Sequence, residues 1–342
     1  MEGSNCTEIR MDYRINNKYL DNKTVFLAGA TGLGGSSILK HIVKNHLSTK
    51  IRATYFKTKP FFQNKNINYV SGNLMSLKEC RRMVNGCDCA IMAAAFTGGA
   101  NLTSSQPWRH ININLILNTV MLEAFYLEKI KRVVYIGSAT LYQEFKGYIK
   151  ENNLDMNKDP HPAFWGFGWV ERFIEKLCRF YDERYEINIL IARVSNIFGP
   201  YAKFDPKTSN FIPAIIRKAV DKMDPFEVWG TPDVTRDVIF SDDFARAIVT
   251  MANFSKLKFD IFNIGSGVKT TVGDIVEWAL KYAGHKPSKI NYIQNKPTTI
   301  PFRALDCTKA KKVLGWEPKY TVEEGVKKTT EWWIKNSSWW KK

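Results

Sequence analysis

Thr24-Val25-Phe26-Leu27-Ala28-Gly29-Ala30-Thr31-Gly32-Leu33-Gly34-Gly35 is an apolar run that breaks into glycines, with a helical pattern resuming at Ser36. It reads as strand, tight turn and helix. Gly29, Gly32 and Gly35 stand at G-x-x-G-x-x-G spacing, where missing side chains let backbone N–H groups close on a pyrophosphate. The helix N-terminus adds a positive dipole end that favours anions. A dinucleotide is the expected guest, with Gly29, Thr31, Gly32, Leu33 and Gly35 as its contacts. Glycine triplets also occur in ordinary turns, so the flanking chain decides.

Working outward, Ile38, Leu39, Ile42 and Val43 form a helical stripe, and Ile51 to Phe56 gives a second strand. After it come Lys57 and Lys59, where NAD enzymes of this type place an Asp for the ribose; two cations there suit the extra phosphate of NADP. A short strand, Ile67 to Val70, leads to Asn73 and Leu74. Cys89 to Ala95 reads as a buried strand whose small residues Ala93, Ala94 and Ala95, with Gly98-Gly99 beyond, permit close approach of a cofactor. A long helix is expected from about Trp108 to Glu128, with Ile113, Ile116, Leu117, Val120, Met121 and Ala124 inward. The strand Arg132 to Ser138 then presents Ser138 at its end. Strands alternating with helices predict an α/β fold, a Rossmann-type doubly wound parallel sheet that binds ligands beyond the carboxyl ends of its strands.

The 342 residues, 44% hydrophobic, suffice for that domain plus a smaller one. The net charge of +17 raises nucleic acid as a partner, but the basic residues are spread along the whole length and no nucleic-acid motif occurs. The excess suits phosphate-bearing dinucleotides and nucleotide sugars better. Cys6, Cys80, Cys87, Cys89, Cys178 and Cys307 form no paired framework, and no second pair completes a zinc site with Cys87 and Cys89. No metal is expected, and a reducing cytoplasm is the expected compartment. No apolar run approaches the roughly 18 residues of a membrane span, and Met1 to Asn22 reads as a polar N-terminal arm.

The glycine turn, Gly137-Ser138-Ala139-Thr140-Leu141-Tyr142, Asn196-Ile197-Phe198-Gly199-Pro200, Val228-Trp229-Gly230-Thr231-Pro232, Arg236-Asp237-Val238, Asn263-Ile264-Gly265-Ser266-Gly267 and Leu314-Gly315-Trp316-Glu317-Pro318 occur in this order. With them the chain from about Lys23 to Trp333 resembles the extended short-chain dehydrogenase/reductases of the NAD-dependent epimerase/dehydratase family, nearest its GDP-L-fucose synthase branch. The resemblance implies NADP or NAD as cofactor, a GDP-hexose or GDP-heptose as ligand, and a smaller mixed C-terminal substrate domain. It implies these boundaries: an arm at 1–22, a dinucleotide-binding domain at 23–195 completed by about 238–264, a sugar-nucleotide domain at 196–237 and 265–335, and a tail at 336–342. It also implies a homodimer through helices matching about Pro107 to Glu128 and Phe167 to Tyr185.

In that family a Ser, a Tyr and a Lys carry the redox step. A phenol near pKa 10 moves a proton at neutral pH only when a neighbouring cation lowers its pKa. Ser138 matches the serine, for both catalysis and cofactor. Phe167 falls at the tyrosine position and Glu171 at the lysine position; an alternative register places Trp165 and Trp169 there, and neither restores the pair. Tyr142 is a possible substitute acid, although it matches a structural family tyrosine. Glu171 reads either as a solvated helix carboxylate or as an acceptor for the nicotinamide ribose. The Cys and His that epimerise a keto sugar in the GDP-L-fucose synthase branch match Thr140 and Asn210, neither of which titrates near neutrality. Double epimerisation at C3 and C5 is therefore not expected, whereas oxidoreduction is. The competing reading is a silent paralogue that binds cofactor and nucleotide sugar as a regulatory or scaffolding partner.

The resemblance further places Asn196, Phe211, Ile212, Lys218, Trp229, Arg236 and Arg303 at or near the nucleotide-sugar site. An aromatic face stacks a base while Lys and Arg meet the diphosphate. Thr271-Val272-Gly273-Asp274 reads as a capping box that starts a helix. Of the paired tryptophans, Trp332-Trp333 fits helix packing, while Trp339-Trp340 fits either a partner surface or a fold-back.

Overall fold

The structure, a computed structural model, describes residues 19–97, 106–294 and 304–340. Its centre is a seven-stranded sheet. The strands are β1 (Thr24–Ala28), β2 (Lys50–Tyr55), β3 (Ile67–Ser71), β4 (Cys89–Met92), β5 (Arg132–Ser138), β6 (Asn188–Val194) and β7 (Asp260–Ile264). They lie in the order β7-β6-β5-β4-β1-β2-β3, every neighbouring pair parallel. The order reverses between β1 and β4, the crevice where such sheets take ligands. Strands such as β6 are buried along nearly their whole length because helices cover both faces.

One face carries α1 (Leu33–Asn45), which packs on α6 (Ser241–Asn253) through Ile38, Leu39 and Ile42. The other carries α2 (Leu77–Val84), α3 (Pro107–Leu127) and α4 (Trp165–Tyr185). A second unit gathers α5 (Phe211–Val220), α7 (Val272–Ala283) and α9 (Val322–Trp340) around its own apolar cluster. The short helix α8 (Thr308–Leu314) packs on β7.

Several expectations need correction. Leu20 is 0% exposed and donates its amide to Asn253, so Tyr19 and Leu20 pack on the core instead of forming part of an arm. On α3 the buried stripe runs through Asn114, Leu117, Asn118, Met121, Leu122, Ala124 and Phe125. Ile116 is 44% exposed instead of inward: an apolar residue one position off the stripe faces out whatever its chemistry. The strand after Cys89 ends at Met92, leaving Ala93 to Ala95 in a loop. Within 238–264, Asp260–Ile264 joins the large sheet and α6 packs on α1, while Val238–Phe240 pairs with Asn196–Phe198 as a separate ribbon.

Candidate cofactor and nucleotide-sugar site

The glycine turn joins β1 to α1. Gly29 has φ of +72°, and a Cβ there would lie 2.7 Å from Ala94 Cα. A Cβ on Gly35 would lie 2.1 Å from the Gly29 carbonyl oxygen. These two positions therefore admit only glycine. Gly32 caps α1 with extended backbone and no side chain, and Thr31 and Leu33 beside it are half-buried. The first amides of α1, on Leu33, Gly34 and Gly35, have no acceptor within the helix. The residues of this cradle fit the pyrophosphate of a dinucleotide. Thr54, buried in β2, fixes the turn from below: its hydroxyl accepts from the Gly29 amide at 3.0 Å and its carbonyl from the Ala30 amide at 2.9 Å.

Lys57 and Lys59 are exposed at the carboxyl end of β2. The Asn73 carboxamide accepts from Met75 and its amide donates to Glu79, shaping the turn that carries Leu74 after β3. On the other side, Ala93, Ala94 and Ala95 follow β4 directly over the glycine turn. Asn114 of α3 holds this loop, pairing with both the amide and the carbonyl of Phe96 at 2.9 Å each. Gly98 and Gly99 lie outside the described residues.

At the end of β5, the Ser138 hydroxyl accepts from the Thr140 amide (3.2 Å) and hydroxyl (3.0 Å). Phe167, in the first turn of α4, stacks on His110 of α3 with ring centroids 4.2 Å apart. Burial pushes the His110 imidazole pKa down. One turn on, Glu171 is 4% exposed and is no solvated carboxylate. Its Oε2 accepts from the Ser138 amide at 3.1 Å and from the Tyr135 hydroxyl at 3.4 Å. Burial, reinforced by Glu175, pushes this carboxyl up to about 8.

Tyr142 is not available as a substitute acid. It is 0% exposed, its hydroxyl donates to Asn263 at 2.7 Å and accepts from Arg193 at 2.9 Å. Burial, against the opposing Arg193 cation, pushes the phenol up to about 12. Arg193 is in turn held by both oxygens of Glu175, at 2.8 and 2.7 Å. The position four residues past Ser138 thus ties β5, β6, β7 and α4 together beneath the site.

In the second unit, Asn196 and Asn210 are exposed, and Asn210 stands at the start of α5 without a side-chain cap. Phe211 is half-buried, whereas Ile212 is buried in the apolar cluster and cannot touch a ligand by its side chain. Lys218 donates to the Glu227 carbonyl at 2.8 Å, bracing α5 against the strand Phe226–Trp229. Trp229 is 47% exposed, so core packing does not account for it. Burial lowers Arg236 to about 10. Its neighbour Asp237, fully buried, accepts from the Ser266 and Leu305 amides at 2.9 Å and pins the loop after β7. Arg303 lies outside the described residues.

A family model described as "NAD dependent epimerase/dehydratase family" matches residues 25–265. The chain belongs to this family. It is 26% identical over 319 residues to a probable GDP-L-fucose synthase 1 of Oryza sativa subsp. japonica, covering 91% of this chain and 92% of that one. It is 27% identical over 321 residues to a GDP-mannose 3,5-epimerase of Arabidopsis thaliana, covering 92% and 83%. Among solved structures, a GDP-6-OMe-4-keto-L-xylo-heptose reductase from C. jejuni superposes with a TM-score of 0.77 at 23% identity, covering 92% of this chain and 98% of that one. Family membership and the cradle together assign a nicotinamide dinucleotide, NAD or NADP, as the cofactor.

Sequence reading missed Thr54, Asn114, Tyr135 and the Glu175–Arg193 pair. Asn114 carries a legible signal, an amide on the buried stripe of an amphipathic helix, since such groups are kept only with partners. Glu175 and Arg193 carry none, because 18 residues and a chain reversal separate them.

Proposed function

We propose that this chain is an NADP-dependent oxidoreductase-type protein of a GDP-hexose or GDP-heptose that does not epimerise C3 or C5. The observation that carries the reading is Gly29 seated against Ala94 beneath an open helix N-terminus, with Ser138 at the end of β5. Lys57 and Lys59 favour the 2′-phosphate of NADP. A nicotinamide bound on the glycine turn would supply hydride chemistry toward a sugar carbon, the matching proton of the sugar oxygen passing to or from solvent. Ser138 orients the sugar oxygen, and Trp229 and Arg236 take the base and diphosphate. Thr140, bonded to Ser138, and Asn210, at a helix start, supply no group that titrates near neutrality for abstraction beside a ketone.

A second reading, a silent paralogue that binds both ligands, draws on the burial of Tyr142 and on Phe167 at the tyrosine position. Paired affinities for NADPH and GDP-mannose, with single-turnover absorbance of the nicotinamide band on a GDP-4-keto-hexose, separate the two. Absorbance change supports the enzyme, and binding without change over hours supports the silent form. Deuterium wash-in beside the ketone would overturn the exclusion of epimerisation. A homodimer through α3 and α4 accords with Trp108, Ile116, Leu127, Trp165, Phe173 and Phe180, all exposed there. Sedimentation as a monomer at high concentration would reject it.

A further inference from the structure

Glu171 is a buried acid bonded to the Ser138 amide at the end of β5, and the family resemblance implies that it stands at the position of a cation. The Rossmann geometry sets adenosine over β2 and so directs the other half of the dinucleotide across β4 toward β5 and Ser138. Oxidised nicotinamide carries a positive ring charge and reduced nicotinamide none. A lysine in this place disfavours the oxidised ring by like charge; a carboxylate reverses the sign of that term.

We infer that Glu171 makes the cofactor pocket select the oxidised dinucleotide over the reduced one, its carboxyl giving up a proton as the cationic ring enters; this rests on the cofactor reading above. The groups facing Glu171 favour such coupling. Tyr135 on β5 donates a hydroxyl, while Glu175 on the same helix, paired with Arg193 of β6 by two bonds, still acts as a like charge that holds Glu171 toward its neutral form. The Cys178 thiol is held neutral, pushed well up by burial. His110 of α3 lies one turn away against Phe167, its imidazole kept toward the neutral form by burial. With no cation bonded to Glu171 among these groups, an incoming positive charge is the partner that ionises it.

The test is equilibrium titration of the full chain with NADP+ and with NADPH at pH 6.5 and pH 8.5, for wild type, Glu171→Gln and Glu171→Lys. The 2′-phosphate titrates alike in both forms and cancels in the ratio. Wild type is expected to prefer NADP+ at least tenfold at pH 8.5 and less at pH 6.5. Calorimetry in buffers of different ionisation enthalpy should show proton release with NADP+ and not with NADPH. In Glu171→Gln the ratio of affinities should approach one at both pH values, and in Glu171→Lys it should invert. Equal wild-type affinities for both forms, or a ratio unmoved in Glu171→Gln, would overturn the inference and leave the cofactor reading standing. Absence of binding to either form would overturn both.

Discussion

The Glu171 carboxyl accepts a hydrogen bond from the Ser138 backbone amide at 3.1 Å, fastening α4 to the end of β5. A buried acid thus holds the backbone at the end of β5 that the proposed function gives to the sugar.

This carboxyl makes stability depend on pH. Its folded pKa is raised to about 8 from an ordinary 4.5, so between those values the folded chain keeps a proton that the unfolded chain has released. Stability therefore falls as pH rises through this window and levels off above it, by at most about 1.4 kcal/mol per pH unit. Glu171→Gln should flatten that slope in denaturant melts at a series of pH values. An identical slope in the variant would assign it to other groups.

Installing a Tyr/Lys pair at the positions that the family resemblance implies tests the register. Phe167→Tyr with Glu171→Lys places a phenol and a cation at the end of β5, and a general acid is worth about 10² to 10⁴ in rate. Single-turnover oxidation of NADPH by a GDP-4-keto-hexose should accelerate by that order in the double variant. Phe167→Tyr alone should gain little, since Glu171 offers no cation to lower the new phenol's pKa. A double variant no faster than wild type would mean the sugar is not held over Ser138.

Tyr142 should behave as a structural residue. Tyr142→Phe removes the donor to Asn263 and one acceptor for Arg193, leaving buried polar groups unpaired at a cost of about 1–3 kcal/mol. The midpoint of urea unfolding should drop while NADP+ affinity stays within a factor of about two. Loss of turnover with unchanged stability would instead make Tyr142 a proton carrier.

The cradle is the least forgiving element. A methyl added in Gly35→Ala would meet the Gly29 carbonyl oxygen at 2.1 Å and Ala30 Cα at 2.8 Å, both backbone atoms that cannot swing aside. Overpacking of this kind costs about 1–3 kcal/mol, and moving the turn also displaces the amides that bind phosphate. Dinucleotide affinity should fall at least tenfold, on the order of 1.4 kcal/mol, in the same titration that reads wild type. Unchanged affinity would place the pyrophosphate elsewhere.

The sheet was legible because its strands are short apolar runs ending in small residues, and Gly29 and Gly35 announce a turn that tolerates no side chain. The capping box was legible for the same local reason: Thr271 and Asp274 exchange bonds of 2.8 and 2.9 Å within one turn. Trp333, stacked on Phe204 at 4.0 Å, bears out helix packing for the first tryptophan pair. What periodicity could not give was the partner of each buried polar group. Glu171 reads as a surface carboxylate until β5 is laid beside α4, and Tyr142 as a plausible acid until Asn263 and Arg193 close over it. Ile116 was misplaced because α3 buries two asparagines on the stripe that apolarity alone would assign elsewhere.

The most direct measurement is equilibrium titration of the purified full chain with NADP+, then with GDP-mannose in the presence of saturating dinucleotide. Saturable micromolar binding of the dinucleotide, weakened in Gly35→Ala, followed by binding of the nucleotide sugar, is the predicted result. A chain that binds neither NADP+ nor NADPH nor any nucleoside-diphosphate sugar would contradict the claim that the glycine cradle holds a dinucleotide beside a nucleotide sugar.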